Sequence, residues 1–162
     1  MAFVSVYFSL GSNLGDRIGN LEEALLRLDK ALGCHWTALS KVIETKAWGF
    51  NGAKFLNAAV MYRIFRENDT EAQALGILAE CKRIEKEMGR EEDLEFDADG
   101  RRVYHSRLID IDILFFGTEC LKLETLTIPH PLIAERDFVM VPLREIAKPS
   151  LRAAFPEIFE TK

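Results

Sequence analysis

Asp110 and Asp112 stand two residues apart inside RLIDIDILFFG (107–117), the most apolar strand-like stretch of the chain. In an extended strand alternate side chains share a face and lie about 6.6 Å apart along the backbone, so both carboxylates point the same way. Two like charges held this close shift each other's pKa unless cations sit between them, and hard Mg²⁺ suits carboxylate oxygen best. Two such ions about 3.5–4 Å apart form the clamp used for in-line displacement at phosphorus. On spacing alone the pair reads first as salt-bridged to neighbouring arginines, because short motifs recur by chance. The frame of Ile109, Ile111, Ile113 and Leu114 turns the reading towards function, since apolar surroundings stabilise charge poorly.

Arg90, Arg101, Arg102, Arg107 and Arg136 bracket that strand in sequence, and guanidinium forks match phosphate oxygens. Each alone reads as a solvated surface group; beside the aspartates they read as clamps for a polyphosphate. His130, within PHP, serves equally well as a phosphate donor or a structural hydrogen-bonding group. Phe55 and Asn57 share one face of a strand and could stack an aromatic ring and read its edge. Without further context, ordinary core packing and a turn-facing amide explain them better. GSNLGD (11–16) precedes a helix but lacks both the G-K-[ST] ending and the G-x-G-x-x-G spacing, so it reads as a tight turn.

The elements that must position these groups follow from periodicity. Residues 3–10, β-branched and aromatic, predict a first strand ending at Gly11-Ser12-Asn13. Ile18, Leu21, Leu25, Leu28 and Leu32 predict an amphipathic helix closed by Gly33. Residues 35–45 and 55–65 alternate as two antiparallel strands around a glycine-marked loop. Thr70 with Gln73 predicts a capping box, and Ala74, Ile77, Leu78, Cys81, Ile84 and Met88 form the apolar stripe of a helix over 71–88. Residues 90–106 are charged and aperiodic and predict a long mobile, functional loop. With the aspartate strand as the fourth, the order β-α-β-β-α-β defines an α+β, ferredoxin-like core with a mostly antiparallel sheet. The tail beyond it predicts turns and a short helix.

With 162 residues, 48% of them hydrophobic, the chain can bury one core and is expected to be a single domain over 1–162, too short for a fused synthase. A net charge of −5 excludes binding through a general basic surface, so no nucleic-acid partner is expected. Three scattered cysteines, Cys34, Cys81 and Cys120, give neither a disulfide framework nor a zinc knuckle. The opening lacks a signal-peptide pattern and no run reaches the ~20 apolar residues of a membrane span. A soluble, cytoplasmic protein is the expectation.

Taken together, SLGSNLGD, FLNAAV (55–60), IEKEMGR (84–90), RLIDIDILFFG and TIPHPLIAERDFVMVPLREIA (127–147) resemble, in order, the 6-hydroxymethyl-7,8-dihydropterin pyrophosphokinases of folate biosynthesis. The resemblance implies transfer of a diphosphate from ATP to the pterin hydroxymethyl group, leaving AMP, with two Mg²⁺ held by Asp110 and Asp112. It places Arg90 and Arg107 on the triphosphate as catalytic groups, and His130 and Arg136 as further phosphate contacts. Tyr104 would fold over the site, with Glu85 and Ile113 near the nucleoside. Phe55 and Phe138 would sandwich the pterin, Asn57 would read its edge, and Thr45 and Trp48 would complete that recognition. A monomer with two small-molecule substrates is implied. TKAWGFNGAKFLN departs from the pattern, lacking the proline and glutamine common in the family, and Thr125 stands where some members carry an arginine.

Two rivals remain at this stage. A nucleotidyltransferase would use the same carboxylate pair at the α-phosphorus and release pyrophosphate. A ferredoxin-like RNA-binding module would stack bases on Phe55 and Tyr62, but the R-G-F-G-F-V-x-F pattern and a basic sheet face are absent.

Overall fold

The computed structural model describes residues 2–47, 52–89, 95–96, 98–100, 102–103 and 108–160. β1 (Phe3–Ser12) runs through the middle of the sheet. β4 (Phe55–Phe65) lies antiparallel on one side of it and β7 (Asp110–Phe116) antiparallel on the other. Outside β4 come the short β2 (Ala38–Leu39) and β3 (Ile43–Thr45), each antiparallel to it. With α1 (Arg17–Leu32) and α2 (Thr70–Glu87) this is the expected βαββαβ order, except that the second strand is split.

Ser40 causes the split. Its N–H donates to the Ala59 carbonyl, and its hydroxyl then accepts from the Ala59 N–H, each at 2.9 Å. A side-chain oxygen thus replaces the backbone acceptor that a continuous strand would have offered, and the chain leaves the ladder until Ile43. Period-2 alternation over 35–45 carried no trace of this.

α1 is N-capped by Asp16, whose carboxylate accepts from Gly19 N–H at 3.0 Å, and it ends at Gly33, where a φ of 75° favours a residue without Cβ. α2 corrects the expected capping box. Asp69 is the N-cap, accepting from Ala72 N–H at 3.0 Å, and Thr70 is already helical. Gln73 still turns back to the approaching chain, accepting from Glu67 N–H and donating to the Phe65 carbonyl.

Alternation along the strands feeds two cores. Val6, Phe8, Leu10, Val60, Tyr62, Ile111 and Ile113 face α1 and α2, where Leu21, Ala24, Leu28, Ala74, Ile77 and Ile84 meet them. Tyr7, Ala59, Met61, Leu114 and Phe115 face the other way. That second face is covered by the C-terminal segment. The sequence suggested turns and a short helix there; the structure has a hairpin of β8 (Leu121–Lys122) and β9 (Thr127–Ile128), a 3₁₀ turn at Ile133–Glu135, and three helices. These are α3 (Asp137–Ile146), α4 (Pro149–Ala154) and α5 (Pro156–Phe159). The overlooked signal was proline at the first position of α4 and α5, where its fixed φ and missing N–H cost nothing.

β7 serves both cores through a bulge. Tyr7 pairs with Phe115 but Phe8 with Ile113, leaving Leu114 as an extra residue. Leu114 and Phe115 therefore both enter the second core, and Phe116 enters the first. Each buried phenylalanine contributes about 1.5–3 kcal/mol by leaving water. Within 90–106, where an unstructured loop was expected, β5 (Glu95–Phe96) and β6 (Arg102–Val103) pair as an antiparallel ribbon.

Candidate active site

The site lies on the α3 side of the sheet, at the end where β1 finishes and β4 and β7 begin. Register places it there. Gly11 on β1 stands between Asp110 on β7 and Asn57 on β4, and Ile43 on β3 follows Asn57 in the same row. One row further in, Ser9 stands between Asp112 and Ala59. Both aspartates share the face of Leu114, which belongs to the second core, while Ile109, Ile111 and Ile113 are buried in the first. The strand's apolar character and its carboxylates are thus the two faces of one alternation.

Asn57 is almost wholly buried, and its Nδ2 donates to Thr45 Oγ1 at 2.7 Å. Thr45 pairs with Phe55 in the ladder, so the three polar and aromatic groups form one corner. Gly11 leaves the space for that corner. A Cβ at Gly11 would lie 2.9 Å from Asn57 Oδ1 and 3.5 Å from the Phe55 ring. The sequence marked Gly11 only as turn chemistry; its packing role depends on a strand more than forty positions away, which no local pattern reveals.

The C-terminal segment covers the same face of the sheet. Phe138, near the start of α3, packs against the second core, and the Arg136 guanidinium lies 5.6 Å from its ring centroid. Arg136 is the N-cap residue of α3, and its carbonyl accepts from Val139 and Met140 N–H, both at 2.9 Å. His130 is tied to β7 by its N–H, which donates to the Leu114 carbonyl at 3.0 Å. Its Nδ1 accepts from Leu132 N–H at 3.2 Å. An accepting Nδ1 carries no proton, so the neutral ring holds its proton on Nε2 as a donor. Burial first and the Arg136 charge second lower the His130 pKa to about 4, with Asp110 pulling the other way. The ring is neutral at pH 7, and it feels both Arg136 and Asp110.

Two residues expected beside a nucleoside sit on the α2 side of β7. Ile113 buries its side chain in the first core, so only its backbone is offered to a ligand. Glu85, also buried, accepts from the Ile111 N–H at 2.8 Å through Oε2. Trp48, Arg90, Tyr104 and Arg107 lie outside the described residues. Among the described residues no three His, Cys, Asp or Glu side chains gather as a metal cage. Two carboxylates on one face are nevertheless the donor set that Mg²⁺ takes, since it keeps waters and substrate phosphate in its remaining positions.

Fold and site together define an α+β fold in which a carboxylate pair fit for a hard divalent cation stands two strands from a buried amide with an aromatic ring beside it. A sequence model of the 7,8-dihydro-6-hydroxymethylpterin-pyrophosphokinase family matches residues 7–148, and the chain belongs to that family. It is 38% identical over 143 residues to a 2-amino-4-hydroxy-6-hydroxymethyldihydropteridine pyrophosphokinase of Aquifex aeolicus, covering 88% of this chain and 79% of the relative. The protein of that name in Porphyromonas gingivalis is 41% identical over 144 residues, with 88% and 90% covered. The mitochondrial folate synthesis bifunctional protein of Pisum sativum is 42% identical over 142 residues, 87% of this chain but only 25% of that longer protein.

Proposed function

We propose that this chain is an ATP- and Mg²⁺-dependent pyrophosphokinase that transfers diphosphate to 6-hydroxymethyl-7,8-dihydropterin in folate biosynthesis, within one domain over 1–162. The observation that supports the reading is the row Asp110, Gly11, Asn57, which sets the Asp110 carboxylate two strands from the buried Asn57 amide. At about 4.8 Å per strand that separation spans from a pterin's ring to its reacting hydroxymethyl group.

In this reading Phe55 and Phe138 hold the ring from the sheet and from α3, and Asn57, with its amide fixed by Thr45, reads the ring edge. Trp48 completes that pocket on grounds of family pattern alone. Asp110 and Asp112 hold two Mg²⁺ against the triphosphate. Those ions, when bound, withdraw charge from the phosphate oxygens and orient them for in-line attack. The hydroxymethyl oxygen bonds to the β-phosphorus as the bond from that phosphorus to the α-bridging oxygen breaks. AMP leaves with that oxygen, and the alcohol proton passes to solvent.

His130 donates from Nε2 to phosphate and stays neutral, which suits a donor and excludes a general base, since Nδ1 is already engaged. Arg136 adds fixed positive charge beside it. Arg90 and Arg107 are assigned to the triphosphate, Tyr104 to closure over it, and Ile113 to the nucleoside through its backbone; these rest on the family pattern. Catalysis is then positioning and electrostatic stabilisation of a loose transition state. One chain carries every group, consistent with a monomer. No helix among the described residues is long and apolar enough to cross a membrane, and we read the protein as cytoplasmic.

The test mixes protein, Mg²⁺, ATP and 6-hydroxymethyl-7,8-dihydropterin and separates the nucleotides. AMP formed only when pterin is present supports the reading. ADP, or free pyrophosphate, would overturn it.

A further inference from the structure

We propose that Glu85 is a positioning residue for the aspartate pair, acting through the backbone N–H of Ile111, the residue between the two ligands; this rests on the reading of Asp110 and Asp112 as the metal-holding groups. The argument starts from the sheet. Among the described residues β7 pairs with a strand on one side only, β1. A strand turns successive N–H groups to opposite edges, so Ile111 N–H points away from the neighbour that takes the N–H groups on either side of it. An edge N–H ordinarily meets water. Here α2 brings a buried carboxylate to it, at 2.8 Å.

A buried carboxylate is a costly hydrogen-bond acceptor, because desolvating the charge outweighs the net worth of a neutral hydrogen bond. Glutamine or serine would serve a merely structural purpose. What the carboxylate adds is stiffness from a charge-assisted bond, applied at the backbone of the residue that stands between the two aspartates. It also adds a negative charge behind the metal-facing carboxylates. Buried Cys81, one turn before Glu85 on α2, lies in the fields of both Glu85 and Asp112. Glu85 and Asp112 therefore act on one and the same buried thiol, although Glu85 stands on the far side of the strand. Partners that orient metal ligands from behind typically govern affinity by 10–100-fold.

The test measures Mn²⁺ binding in the presence of α,β-methylene-ATP by paramagnetic resonance, for wild type, Glu85→Leu, Glu85→Gln and Asp112→Asn. Glu85→Leu is expected to weaken Mn²⁺ at least tenfold and to lower kcat while the KM for pterin stays within about threefold. Glu85→Gln keeps an acceptor but loses the charge, and should bind Mn²⁺ more tightly than Glu85→Leu yet at least about threefold more weakly than wild type, with the Ile111 amide proton resonance moving upfield. A Glu85→Leu protein that folds and binds Mn²⁺ as wild type does, alongside a weakened Asp112→Asn, overturns this inference alone. If Asp112→Asn also binds normally, the metal assignment falls and this inference falls with it. Should Glu85→Leu not fold, Glu85→Gln decides: unchanged Mn²⁺ affinity despite a shifted Ile111 amide is the overturning result.

Discussion

Gly11→Ala isolates ring recognition from phosphate chemistry. The added methyl would sit 2.9 Å from Asn57 Oδ1, 0.5 Å inside the 3.4 Å at which such contacts become ordinary. Gly11 does not have a positive φ, so the backbone tolerates alanine and the whole cost is steric. Something must move. Asn57 is 3% exposed and its amide is held by Thr45 at 2.7 Å, so rotating it away gives up that bond, worth about 1 kcal/mol. Moving the strand instead incurs the usual overpacking penalty of about 1–3 kcal/mol. Either route displaces the Asn57 amide or the Phe55 face that we assign to the pterin ring. A loss of about 1.4–2.8 kcal/mol corresponds to a 10- to 100-fold weaker pterin Kd. Fluorescence titration with the pterin and calorimetry with an ATP analogue would check this, the nucleotide affinity being expected to hold within about threefold. A folded Gly11→Ala protein that binds pterin as wild type does would refute the argument that this glycine makes room for the reading corner.

Asp110→Asn and Asp112→Asn should each cut turnover at least about 100-fold while the protein stays folded. Parallel activity assays and calorimetric scans test both halves. The His130 pKa, about 4 in the fold against 6.5 for ordinary imidazole, means the unfolded chain binds more protons between those values. Stability in the metal-free protein is therefore full above pH 6.5 and falls as pH drops towards 4, by no more than about 3 kcal/mol and less given the ring's partial solvent contact. Urea titrations across that range should show His130→Asn flattening the slope; an identical slope would contradict the assignment. Tyr62→Phe removes the donor to Asp29 Oδ1 at 2.5 Å and to the Leu25 carbonyl, far from the site. It should lower unfolding free energy by about 1–2 kcal/mol without changing kcat.

What could be read without coordinates was what repeats locally. β1, β4, α1 and α2 declare themselves through alternation or a three-to-four spacing, and the aspartates share a face because strand geometry allows nothing else. The family pattern then named the aromatic pair and Asn57. Features that depend on register escaped. The bond from Ser40 to Ala59, the extra residue at Leu114 and the closeness of Gly11 to Asn57 all require knowing which residues of distant strands stand opposite. Glu85 is the sharpest case: the family resemblance set it near the nucleoside, and only the fold shows its carboxylate turned inward onto Ile111 N–H. The C-terminal helices were missed for another reason, being too short for periodicity to accumulate.

The placement of β7 at the sheet's edge also bears on how the protein avoids sticking to itself. Ile-x-Ile-x-Ile-Leu-Phe-Phe is the kind of segment that templates intermolecular strand pairing when its outer hydrogen-bonding row lies open. Here Ile111 N–H is taken by a carboxylate from α2 and the Leu114 carbonyl by His130 N–H. Two further negative charges flank the first of these positions. An approaching strand would have to displace the glutamate and bring its own backbone against concentrated anionic charge. The groups to which we assign phosphate chemistry thereby also guard this edge against strand pairing, and neutralising them would be felt in solubility during refolding as well as in turnover.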